Sequence, residues 1–197
     1  MILATHVILT GYGHWLPNDV RGSYSETVFI PPIAELGPLH HGRKPVQPST
    51  PELRKFHNQA QAVLTHSVHW FSTEERNAIR DAFARLCQER RFVCYAGAIL
   101  SNHIHVLIER NYLPPPTIHD LLKQYATQAV RAFGFVPVKH PVFNAGIATV
   151  YKYTPAEIRQ CAKYITDNFA KHKFPTERYE FVSDYKEKWM QRRITYE

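Results

Sequence analysis

Hydrophobic and polar positions change rhythm along the chain, and each rhythm predicts an element. "THVILTGYG" (Thr5 to Gly13) is a β-branched run ending in a glycine turn, which predicts a strand. Pro17, Pro31, Pro32, Pro38, Pro45, Pro48 and Pro51 then break every periodicity and predict a long irregular excursion. Residues 52 to 66 have the composition of a short helix. "STEERNAIRDAFARLCQERR" predicts a stronger one, with Ser72 and Glu75 as a capping box and Ile79, Ala82, Phe83 and Leu86 as its apolar stripe. "FVCYAGAIL" (Phe92 to Leu100) and "SNHIHVLIER" (Ser101 to Arg110) read as two strands joined near Ser101 and Asn102. "TIHDLLKQYATQAVRAFG" predicts a helix stopped by Gly134, and a strand lies within "VFNAGIATVYKY". "TPAEIRQCAKYITDNFAKH" predicts the last helix, with Thr154 as N-cap and Pro155 in its first turn. From Phe174 the tail is polar and aromatic and predicts no element.

The order strand, helix, strand, strand, helix, strand, helix implies an α+β fold. An antiparallel sheet flanked by helices, on the split βαβ or ferredoxin-like (RRM-like) plan, accommodates it. A length of 197 residues suits one domain over 1–197, carrying a proline-rich insertion at about 17–51 and a variable tail from about 174. No apolar run is long enough to span a bilayer, so no membrane partner is expected. The N-terminal stretch lacks the pattern of a signal peptide, which makes a cytoplasmic location the expectation. Cys87, Cys94 and Cys161 have no metal-type spacing and read as reduced, buried thiols. The net charge of +7 points to a polyanionic partner, and nucleic acid is the commonest polyanion in a cell.

The strand "HIHVLIE" carries the first candidate chemistry. Strand side chains alternate, so His103, His105, Leu107 and Glu109 share one face, and Ile104, Val106 and Ile108 the other. Two imidazoles on one face can converge on a metal ion or act as acid and base. The ordinary alternative is a pair of polar residues on a partly wet sheet face. Leu107 stands where a histidine-triad hydrolase needs a third alternating histidine, which excludes that chemistry.

A second cluster lies in "KYITDN". Tyr164 and Asn168 are four apart, hence stacked on one side of the last helix, at the flank of the stripe formed by Ile158, Cys161, Ala162, Ile165 and Phe169. Asn168 offers a carbonyl oxygen to a hard cation. Tyr164 offers a phenol, a nucleophile that needs a cation to polarise its target. His103, His105 and Asn168 holding Mg²⁺ or Mn²⁺, with Tyr164 attacking a phosphate, make one machine. Taken singly, Tyr164 reads more readily as a ring covering the core edge and Asn168 as a surface residue or cap.

"HIHVLIE" in a strand followed by "YITDN" in a helix resembles the HUH single-tyrosine transposases. "THVILTGYGHWLPNDVRGSYSE", "CYAGAILSNHIHVLIE" and "AEIRQCAKYITDN" are similar, in that order and roughly that spacing, to the REP-associated branch. The likeness covers most of residues 4 to 170, loosely from Ile30 to about Ser72. It implies the HUH endonuclease fold, with His103 and His105 as metal ligands, Asn168 as third ligand and Tyr164 as nucleophile. Many relatives read Asn-Pro where this chain reads Asn168-Phe169, which changes the helix end and spares the ligand. Tyr125, on the preceding helix, is the weaker nucleophile because Ala129 stands four residues on and only Gln128, three on, could bind metal.

The resemblance implies a divalent cofactor, Mg²⁺ or Mn²⁺, and a single-stranded or hairpin DNA substrate. It implies nicking and joining through a 5′-phosphotyrosine and a free 3′-OH. Tyr12, Trp15 and Arg21 are candidates to stack on or clamp DNA, with loop packing as their alternative role. Lys123, Arg131, Lys139 and Lys163 are candidates for phosphate contact. Glu109 is expected to lie too near the strand end to bind metal, with a supporting role open. Relatives occur as monomers and as homodimers. The rival readings are an HUH replication or mobilisation nickase and a non-catalytic binder of structured single-stranded DNA or RNA. "CYAGAIL" lacks the aromatic pair that an RNA-binding RRM strand needs.

Overall fold

The computed structural model describes residues 1–23, 31–42, 44–134 and 136–186. The elements follow in the order β1 (Ala4–Thr10), α1 (Pro31–Ala34), α2 (Thr50–Val63), α3 (Thr73–Arg90), β2 (Cys94–Ile99), β3 (His103–Glu109), α4 (Pro115–Ala132), β4 (Ala148–Lys152) and α5 (Pro155–Lys171). The four strands form one antiparallel sheet in the order β2-β3-β1-β4. That order places β3 between β1 and β2, as the split βαβ plan expects. The α+β class and its element order are therefore those the sequence predicts. The exception is α1, a single turn inside the proline-rich excursion. Pro31 and Pro32 open it, and their fixed φ suits a first helical turn.

The chain divides into two compact units. The first comprises Met1–Leu9, Phe71–Phe135 and Ile147–Glu197 and holds the whole sheet apart from the end of β1. Strand β3 is buried along nearly its entire length, and Ile104, Val106 and Ile108 are almost wholly inaccessible. Helices α3 and α4 pack on each other, and α5 packs across β2 and β3. Capping boxes start α3 (Ser72 with Glu75) and α5 (Thr154 with Glu157). In α5 the box and Pro155 set the phase of the helix, and with it the face on which Tyr164 and Asn168 emerge. Cys87, Cys94 and Cys161 are free and buried, and burial raises all three thiol pKa values, Cys87 to about 11.

Strand β2 is a sheet edge, and the tail covers it. Cys94 bridges to Val182, the Ser183 N–H donates to the Cys94 carbonyl, and the Ile99 N–H donates to the Tyr179 hydroxyl at 3.1 Å. Tyr179 and Phe181 lie over Gly97, where no side chain stands in their way. Unpaired strand edges recruit other strands, so this cover has a plain physical use.

The second unit comprises Thr10–Trp70 and Val136–Gly146. Leu16, Ile33, Phe56 and Ala60 form its core, with Val20, Leu36 and Leu64 packed against them. Asn144 stitches its two segments: the side-chain oxygen accepts the Gly13 N–H at 3.1 Å, the side-chain amide donates to the His14 carbonyl, and the backbone N–H donates to Thr10. Gly13 has φ +82°, and a Cβ there would sit 2.8 Å from Val68 Cγ2, so only glycine fits.

Candidate active site

Strand β3 and helix α5 bring His103, His105 and Tyr164 together within the first unit. His103 and His105 have ring centroids 4.7 Å apart with planes at 87°. The Tyr164 ring lies 5.6 Å from that of His105. Tyr164 is 43% exposed, as a residue at the core edge should be. Asn168, one turn on, is 4% exposed. The sequence put both at the boundary between core and solvent; only Tyr164 is there. Asn168 Nδ2 donates to the Tyr164 carbonyl at 2.7 Å, which directs its amide oxygen away from the helix backbone.

Three further side chains join the group. His6 on β1 reaches His105, with Nε2 2.9 Å from His105 Nδ1, and its ring lies 6.2 Å from Tyr164. His172, the residue that caps α5, has its ring 4.9 Å from His103. The Lys171 ammonium stands 4.5 Å over the Tyr164 ring, a cation–π contact. None of the three was singled out from sequence. Lys171 follows Tyr164 by seven residues, two helical turns on one face, a spacing that could have flagged it. His6 has no local signal. It meets His105 only because β1 lies beside β3, and 99 residues separate the two in sequence.

Burial sets the charge of this cluster. His6 and His105 are 4% and 3% exposed. Loss of hydration lowers the His6 pKa to about 4, with a smaller contribution from Lys152. The same cause, followed by the neighbouring imidazoles, lowers His105 well below the ordinary range. Both are neutral at neutral pH, the form that binds metals.

The tautomers follow from the partners. Asn102 Oδ1 lies 2.7 Å from His103 Nδ1, and an amide oxygen only accepts. His103 therefore carries its proton on Nδ1 and its lone pair on Nε2. His105 Nε2 is buried, and among the described residues it has no hydrogen-bond partner.

These features fit a divalent ion. Two imidazoles on one ion, at bonds of ~2.1 Å and near a right angle, have centroids roughly 4.5 Å apart, close to the separation of His103 and His105. The unsatisfied Nε2 of His105 is the atom such an ion would take. Among the described residues no group of three or more His, Cys, Asp or Glu is arranged to hold a metal. The two imidazoles, with the lone pair on His105 Nε2, are donors of the kind such an ion takes, and Asn168 on the neighbouring helix carries an amide oxygen of the kind that could complete them.

The other predicted residues lie elsewhere. The Tyr125 hydroxyl donates to Glu89 at 2.5 Å, which ties it to the α3–α4 pair. Glu109 hydrogen-bonds to the Tyr95 hydroxyl, whose pKa rises mainly through burial. In the second unit the Arg21 guanidinium lies 4.2 Å over the Trp15 ring and donates to Asp19, with Nη2 2.6 Å from Oδ2. Asp19 is fully buried, so Arg21 is its counter-ion. Tyr12 packs edge-on against His66 and His140. Lys123 is half-buried, and its pKa is lowered by that burial. Arg131 and Lys139 are exposed; Lys163 is exposed and paired with Asp167 at 2.7 Å.

No protein-family model matches the chain, and no curated protein matches it. Among solved structures it is similar to a "putative transposase" from Deinococcus radiodurans R1. Identity is 12%, coverage is 85% of this chain and 91% of that one, and the TM-score is 0.41. A likeness of that depth assigns no residue and no chemistry.

Proposed function

We propose that the chain is a metal-dependent endonuclease and strand transferase for single-stranded DNA, a transposase of the HUH single-tyrosine type. One observation carries the reading: a half-exposed phenol on α5 stands against a buried pair of imidazoles, one of which has an unsatisfied ring nitrogen. Phenol and imidazoles meet within one chain, which supports a site built in cis.

Tyr164 attacks the phosphorus of a DNA phosphodiester. Its oxygen forms the new P–O bond, the bond to the 3′ oxygen breaks, and the phenolic proton balances the charge on the departing 3′-OH. The 5′ phosphate stays on tyrosine, and a second 3′-OH can reverse the step and join a new strand. His103, His105 and Asn168 would hold a divalent ion, which when bound would supply positive charge to the phosphate. His103 and His105, each with Nδ1 engaged by a neighbour, would present Nε2 to such an ion. Lys171 fixes the Tyr164 ring and adds a positive charge beside it.

The test is a denaturing gel of the protein incubated with labelled hairpin-bearing single-stranded DNA and Mn²⁺. The reading expects a protein–DNA band that survives denaturant and disappears in Tyr164→Phe. A chain that binds the DNA and forms no such adduct with any divalent metal is a binding module, and the enzymatic reading is then wrong.

A further inference from the structure

We propose that His6 is the positioning residue that sets the tautomer of His105. Its Nε2 accepts the His105 Nδ1–H and so turns a lone pair on His105 Nε2 toward the candidate metal site. The inference rests on the reading of His105 as a ligand and assigns a role to a side chain that the reading leaves unused.

Two proton arrangements satisfy the 2.9 Å contact between the rings. In one, His105 Nδ1 donates to His6 Nε2. In the other, His6 Nε2 donates to His105 Nδ1, and the remaining proton of His105 sits on Nε2. That nitrogen is buried and, among the described residues, without a partner. The second arrangement strands an N–H donor in the interior; the first leaves an unshared lone pair that an ion can use. A buried donor without an acceptor bears its full desolvation cost. The first arrangement also matches His103, whose Nδ1–H is fixed by Asn102 Oδ1. The two histidines then present the same nitrogen, each oriented from behind by a neutral acceptor, the arrangement metal-ligating histidines commonly adopt.

The geometry favours this role over plain packing. The His6 and His105 rings are tilted at 38° with centroids 5.0 Å apart, so the contact runs nitrogen to nitrogen and the rings are not stacked. His6 lies beneath the site: at 4% exposure it is nearly inaccessible, whereas Tyr164 is open to solvent. Among the described residues, its one hydrogen bond toward the site is the one to His105, and its ring also meets Tyr164 edge-on.

The experiment reads the ring nitrogens of the metal-free protein by long-range ¹H–¹⁵N NMR and measures Mn²⁺ affinity by calorimetry. Wild type, His6→Gln and His6→Leu are compared. Glutamine offers an amide oxygen that can accept the Nδ1–H; leucine offers nothing. The proposal expects His105 as the Nδ1–H tautomer in wild type and in His6→Gln. In His6→Leu it expects a shift toward Nε2–H, with Mn²⁺ affinity about 10–100-fold weaker and recovery in His6→Gln to within a few-fold of wild type. An Nε2–H tautomer in wild type overturns it, as does unchanged Mn²⁺ affinity in His6→Leu. The tautomer is read without DNA or metal. Absence of a tyrosine adduct therefore counts against the nuclease reading alone, and a wrong tautomer in an adduct-forming protein counts against the role of His6 alone.

Discussion

At the scale of single residues, the cost of burying charge decides most of what the histidines do. His14 shows it outside the candidate site. It is 4% exposed, and burial lowers its pKa to about 4 against the opposing hydrogen bond from Nε2 to the His69 carbonyl. The folded value lies below the unfolded value of 6.5, so the unfolded chain takes up the proton first. The stabilisation from neutral His14 is complete above pH 6.5, declines as pH falls toward about 4, and is flat below. Its size is about 3 kcal/mol by the usual conversion of pKa to free energy. Melting curves across this range should show a shallower acid decline in His14→Gln, whose amide can still donate to the His69 carbonyl. Identical slopes in the two proteins would contradict the burial argument. His103, His105, Tyr164 and Asn168 were legible as candidates because alternation and helical spacing act over a few residues. His6 was not, since its role exists only once the strand order is known. The burial of Asn168 was not legible either: a helical wheel gives a direction, not how much of the molecule lies in that direction.

At the scale of elements, the helices with complete caps and apolar stripes were the legible ones, because both signals are local. The β2 edge was illegible. Its cover is an irregular segment held by one bridge and a few hydrogen bonds, with no period to detect. That segment has a measurable weight. Tyr179→Phe removes the acceptor of the buried Ile99 N–H while keeping the ring against Phe169 and Phe181. Urea denaturation should show a loss of about 1–3 kcal/mol. A variant as stable as wild type would mean that the hydroxyl contributes nothing to holding the edge.

At the scale of the whole molecule, the net charge of +7 favours polyanions, and for the single-stranded DNA proposed as substrate each phosphate contact would add to the salt dependence of binding. Exposed Arg131 and the Arg21 held on buried Asp19 should then behave differently. Arg131→Gln should lessen the slope of log affinity against log salt by about 0.7, the contribution of one contact to a single strand, and leave stability unchanged. Arg21→Gln should lower stability by about 3 kcal/mol or more, because it leaves a buried carboxylate without its cation. The reverse pattern, a changed salt slope for Arg21→Gln and instability for Arg131→Gln, would contradict this division. Composition made the charge legible. It could not say which cations are committed to internal partners, because pairing depends on which carboxylates the fold buries. The sequence likewise marked the proline-rich excursion but not that residues 136–146 pack with it, a long-range pairing with no local signature.

The nuclease reading depends on a single ion shared by His103, His105 and Asn168 beside Tyr164. Anomalous diffraction from a crystal soaked in Mn²⁺ tests this directly. The account predicts one strong peak within bonding distance of Nε2 of both histidines and of the Asn168 amide oxygen, with the Tyr164 hydroxyl facing it. A peak elsewhere, or none at saturating Mn²⁺ with these side chains ordered, would contradict it.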